Sequence, residues 1–179
     1  MFTKKSFPFL FVACAMVVLM PHEAAAYFTK AQSAVMLKDS KGVLYSVTYD
    51  FGVKNYDVYL PIVPERKNGK VDQTRTQTYA LLEESEEEVD FGETIGVVVS
   101  DAEIRNGEYF IPKGEARRLT MIVLLMLPEA APTRSLDLAL QATNLPFRMV
   151  NGGVSIGARL NSSELQYYIT PEVDIPKGE

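Results

Sequence analysis

The chain has 179 residues, 18 of them basic and 23 acidic, for a formal net charge of −5. That balance disfavours a nucleic-acid partner, which would need a basic face, and none is expected. One Cys, one His and no Trp also leave little for thiol, imidazole or metal chemistry.

The first 26 residues have the layout of a secretory signal peptide. Lys4 and Lys5 form a basic start, Phe7 to Met20 carries no charge, Pro21 breaks the run, and Ala24 and Ala26 flank one residue just before Tyr27. Cleavage is expected after Ala26. The apolar run of 14 residues is shorter than the roughly 20 that span a bilayer as a helix, so an uncleaved anchor or a buried core helix is the lesser alternative. Cys14 raises the possibility of a lipidated start, but six apolar residues follow it, which argues against cleavage there. Removing 26 residues leaves 153, with 16 basic and 22 acidic side chains and with no Cys, His or Trp. The expectation is one exported domain over 27–179, held by its core without a disulfide. Small eukaryotic extracellular domains more often carry disulfides, so a bacterial envelope is the favoured setting. No membrane span is expected after the leader.

From Tyr27 onward the chain reads as strand after strand. "AVML" and Val43 to Phe51 are predicted to pair across the loop "KDSKG"; the second alternates Val43, Tyr45, Val47, Tyr49 and Phe51 against Ser46, Thr48 and Asp50. "NYDVYLPIV" puts Tyr56, Val58, Leu60 and Ile62 on one face, and Pro61 predicts an edge strand or a strand that ends there. Pro64 to Gln77 is polar and reads as a long exposed loop. "TYALL" reads as a strand, with a short helix over "TYALLEESEEE" as the alternative. "TIGVVVSDAEI" follows, and Asn106-Gly107 predicts a two-residue hairpin turn. Leu119 to Leu127 is nearly continuous apolar sequence and predicts a central strand buried on both faces. "SLDLALQA" alternates, "NGGVSIGARLNSS" reads as turns, and "LQYYIT" reads as the last strand. The sum is an all-β, antiparallel β-sandwich of about eight or nine strands. It resembles the immunoglobulin-like architecture in the broad sense only, since the Cys-Trp-Cys core of antibody domains is missing.

Without Cys or His after the leader, the usual nucleophile–base pairs and zinc or iron sites are closed. Neither a catalytic group nor a cofactor is expected. Carboxylates remain, most densely in "EESEEEVD", residues 83–90, with six in eight positions. Calcium loops space their ligands at alternate positions around a Gly, whereas Glu86, Glu87 and Glu88 are contiguous. The run is expected to be a solvated segment without a metal, with calcium as the alternative. Two tyrosines fall out of parity with their apolar neighbours: Tyr59 against Val58 and Leu60, and Tyr168 against Leu165 and Ile169. They are the candidate exposed binding aromatics, while Tyr167 is assigned to the core side. Asn161 to Ser163 matches a glycosylation acceptor, relevant only in a eukaryotic secretory route. The function expected is that of a secreted, non-enzymatic module whose partner at the cell surface is a protein. A carbohydrate-binding module with a glycan partner, calcium-assisted, is the alternative.

Overall fold

The computed structural model describes residues 31–37, 41–67, 70–83, 87–129 and 132–177. These residues are all-β, with twelve strands and no helix. In chain order they are β1 (Ala31–Met36), β2 (Gly42–Phe51), β3 (Asp57–Pro61), β4 (Pro64–Arg66), β5 (Gln77–Glu83), β6 (Glu93–Ser100), β7 (Glu103–Arg105), β8 (Glu108–Ile111), β9 (Arg117–Met126), β10 (Leu136–Asn151), β11 (Val154–Asn161) and β12 (Val173–Ile175).

Two sheets form. The first has four strands in the order β1-β2-β9-β6. The second has eight, in the order β4-β5-β10-β3-β8-β7, with β11 and β12 also paired to β10. The 16-residue β10 organises the second sheet. Leu138 pairs with both Glu83 of β5 and Val173 of β12, and Arg148 with both Tyr59 of β3 and Gly157 of β11. A strand residue has two hydrogen-bonding edges, so these partners flank β10 on opposite sides.

The alternation read in β2 is present: Val43, Tyr45, Val47, Tyr49 and Phe51 are all buried. Asn106 and Gly107 both take positive φ, 53° and 80°, in the turn between β7 and β8. Positive φ at both central residues is the type I′ geometry, whose twist matches that of the paired strands.

Several expectations are corrected. Twelve strands replace eight or nine, because short strands hide in polar sequence. β4 lies inside the expected loop Pro64–Gln77 and pairs parallel to β5, so the second sheet is mixed. Further along that stretch, Asn144 Nδ2 donates to the carbonyls of Gln73 and Thr76. "TYALL" is strand, which removes the helix alternative for Gln77–Glu83. β3 does end at Pro61, but it lies between β10 and β8 and is not an edge. "NGGVSIGARLNSS" is mostly β11, a strand that hides because Val154 to Gly157 are exposed. β9 is central in its sheet, yet its burial alternates: Leu119, Met121, Val123 and Leu125 are buried, and Thr120, Ile122, Leu124 and Met126 are only half-buried. Its second face has no covering layer among the described residues.

Both sheets contribute to one core. Four tyrosine hydroxyls cross it from sheet to sheet. Tyr45 of β2 donates to the carbonyl of Leu138 on β10 (3.1 Å), and Tyr49 of β2 to Oε1 of Gln77 on β5 (2.8 Å). Tyr79 of β5 donates to Oγ1 of Thr94 on β6 (2.9 Å), and Tyr109 of β8 to the carbonyl of Val98 on β6 (2.8 Å). Each ring fills the core while its polar tip finds a partner in the opposite layer. Gly96 permits the close approach of β4 to β6: a Cβ there would lie 2.8 Å from Cγ of Pro64.

Candidate interaction surfaces

The outer face of the four-stranded sheet follows from register. Val35 of β1 pairs with Leu44 of β2, Leu44 with Leu124 of β9, and Leu124 with Ile95 of β6. These four side chains make one apolar row across all four strands. Val35 is 55% exposed and Ile95 61%. The next row is Ser33, Ser46, Ile122 and Val97, with the two serine hydroxyls 2.8 Å apart. A third joins Thr48, Thr120 and Val99, and the two threonine hydroxyls lie 2.9 Å apart. At the end of the face Asp50 pairs with Arg118, whose Nε donates to Oδ1 at 3.0 Å. The Asp50 carboxylate beside it raises the guanidinium's pKa and holds it charged. An exposed apolar patch on a sheet face is a candidate contact surface. Sequence reasoning missed this one. The available signal was Ile95, Val97 and Val99 sharing a parity in β6, with Ile122, Leu124 and Met126 sharing one in β9.

A second surface lies on the eight-stranded sheet. Glu103, Phe110, Tyr59 and Arg148 form a row across β7, β8, β3 and β10. The Arg148 guanidinium sits 4.1 Å from the Tyr59 ring centroid, and Phe110 stands 5.2 Å away on a neighbouring strand. Arg148 also donates to Glu108 at 2.6 Å, and Arg105 lies 3.5 Å over Phe110. An open groove of about 630 Å³ runs beside this row, edged by Pro61, Thr74, Arg75, Pro146 and Gly157. Tyr59 does lie on the opposite side of β3 from buried Val58 and Leu60, but it is half-buried beneath Arg148. Its ring is used by an intramolecular cation–π contact and is not an open platform for a sugar.

Tyr168 is a correction. It is 3% exposed and packs edge-on against Tyr49 at 5.9 Å, while Tyr167 is 61% exposed. The parity argument assumed a strand over "LQYYIT". That segment is instead a turn followed by a single bridge from Ile169 to Gln141. Side chains in a turn do not alternate, so Leu165, Tyr168 and Thr170 point inward together.

The acidic run is threaded by cations from other segments. Arg134 pairs with Glu83 through both guanidinium nitrogens. Lys67 donates to Glu88 at 2.7 Å. Arg66 lies 3.3 Å from Asp90 and donates to the carbonyls of Val89, Phe91 and Gly92. Glu87 and Glu88 are exposed, and residues 84–86 lie outside the described residues. Among the described residues no three metal-ligating side chains converge. Nor is any helix there long and apolar enough to cross a membrane. Asn161 is exposed, with its side-chain oxygen accepting from the Ser163 amide at 3.0 Å. Ala24, Ala26 and Tyr27 of the expected cleavage site lie outside the described residues.

The chain matches no family model, and neither the curated proteins nor the solved structures supply a match.

Proposed function

We propose that the chain is an exported, non-enzymatic module of the broad immunoglobulin-like sandwich kind, working outside the cytoplasm through protein contacts in a surface, adhesive or structural role. The observation that carries this is the apolar row Val35–Leu44–Leu124–Ile95, presented to solvent across the four-stranded sheet. A flat apolar face suits another protein surface better than a small polar molecule. The basic start, the apolar run and the Ala24-x-Ala26 site support export with the leader 1–26 removed and 27–179 acting as one domain.

Two measurements test this. N-terminal sequencing of the exported protein should begin at Tyr27; a start at Cys14, or an intact Met1 in the membrane fraction, refutes the leader. A photo-reactive phenylalanine in place of Val97 should give a protein adduct in the producing cells. The same group in place of the exposed Val154, on the other sheet, should not. Absence of any adduct at position 97 removes the contact role.

A further inference from the structure

We infer that the partner on this face is a second copy of the chain, related by a two-fold axis that runs parallel to the strands between β2 and β9. The inference rests on the contact role proposed above and names its occupant.

The sheet has an even number of strands, and its central pair is in register over ten residues, from Gly42↔Met126 to Phe51↔Arg117. A two-fold rotation moves nothing along its own axis. With the axis parallel to the strands, each cross-strand row therefore meets its own reverse. Leu44 lies on the partner's Leu124, and Val35 on the partner's Ile95. In the following rows the small Ser46 lies under the larger Ile122, and Thr48 on Thr120. At the charged end Asp50 meets the partner's Arg118, and the same contact recurs across the axis. Each copy thus supplies both signs to one ion cluster, with Asp101 beside Arg118 as a further carboxylate from each.

The alternative axis, across the strands, reverses the ends. It would bring Glu93 at one end of β6 against the partner's Asp101 at the other, and leave Arg118 over Met126. Like charges and an unmatched guanidinium disfavour it. Size is adequate. Four strands about 4.8 Å apart and about eight residues at about 3.4 Å give roughly 500 Å² per copy. Two such faces total about 1,000 Å², the lower bound for a specific interface.

The test uses the full chain with Cys14 changed to Ala, so that any introduced thiol is alone. Val35→Cys protein and Ile95→Cys protein are oxidised separately and as a mixture. The mixture should give a covalent heterodimer at least tenfold in excess of either homodimer. The protein without introduced thiols should sediment at twice the chain mass. Ile95→Lys, at an exposed position, should sediment as a monomer and melt with the parent at concentrations where the parent too is monomeric. Homodimers of the single-Cys proteins in excess of the mixed product would overturn the axis. A monomer at about 100 μM would overturn self-pairing. If that monomer's position 97 still captures a different protein in the producing cells, the contact role stands and only the occupant is wrong. If it captures nothing, both fall.

Discussion

Tyr49 donates its hydroxyl to Oε1 of Gln77 at 2.8 Å, joining the two sheets through a fully buried amide. The other end of the same amide donates to the Pro61 carbonyl at 2.6 Å. Gln77 therefore holds β2 of one sheet and the end of β3 in the other through one side chain. Tyr49→Phe removes the donor and leaves Oε1 buried without it. The expected cost is about 1–3 kcal/mol of unfolding free energy, read from denaturant melts. Gln77→Leu in the Tyr49→Phe background should cost less than Gln77→Leu alone. Additive losses would mean that the hydroxyl and the amide are not coupled.

The crossing tyrosines also set the alkaline limit. Burial pushes the hydroxyl pKa values of Tyr45, Tyr49 and Tyr79 above the ordinary tyrosine value. A folded pKa above the unfolded one means that the folded state keeps its proton when the unfolded chain has lost it. The stabilisation is complete below about pH 10 and is lost as pH rises toward the folded values. Each such hydroxyl contributes a slope of about 1.4 kcal/mol per pH unit in that window. Urea midpoints should fall steeply above about pH 10. Tyrosinate absorbance from these three residues should appear only with unfolding. A rise in absorbance that precedes the loss of far-UV signal and reaches the full tyrosine complement would contradict their burial.

Three carboxylates of the acidic run, Glu83, Glu88 and Asp90, pair with cations of other segments of the chain. The Arg134 hydrogen bond holds the Glu83 carboxyl below the usual glutamate range. A depressed folded pKa gives stability that is present above the unfolded value and is lost as pH falls through the folded one. Glu83→Gln should therefore lose that contribution at neutral pH, match the parent in strong acid, and so flatten the stability profile below about pH 4.3. With Glu88 held by Lys67 and Asp90 beside Arg66, millimolar calcium should not move the melting curve. A site with Kd of about 10 μM would add about 2.7 kcal/mol at about 1 mM calcium. A shift of that size, lost when Glu86, Glu87 and Glu88 are all changed to Gln, would bring calcium into the function.

What the sequence revealed depended on whether a residue's environment is set locally. β2 was legible because one buried face imposes a period of two over ten residues. The Asn106-Gly107 turn was legible because positive φ restricts residue choice. Tyr59 was correctly separated from Val58 and Leu60, but the Arg148 lid over it depends on the register of β10 against β3, 89 positions away. β4 escaped notice because a three-residue strand in "PERKNGK" is fixed by backbone pairing with β5 and by Arg66 reaching three carbonyls. Tyr168 was misplaced because parity was applied to a turn. The tyrosine ties between sheets were invisible for the same reason as the lid: each joins positions distant in the chain.

The two faces of β9 give the sharpest test of that limit, because their residues are chemically alike. Val123 is fully buried between the sheets, whereas Leu124 lies half-buried in the apolar row with Leu44 and Ile95. Nine consecutive residues, Leu119 to Leu127, give no hint of the difference in their own composition. Val123→Asp places a carboxylate in the core with nothing to pair it. It should cost several kcal/mol and leave the chain unfolded at ambient temperature. Leu124→Asp places the same group where water reaches it. It should keep the far-UV spectrum of the parent and melt within a few degrees of it at concentrations where the chain is monomeric. At high concentration Leu124→Asp should lose the twofold sedimenting mass, since each copy's carboxylate at position 124 would then be buried against the partner's Leu44 with nothing to pair it. Equal collapse of both variants would mean that the outer face of β9 is covered within a single chain, and the exposed row would no longer be available to any partner.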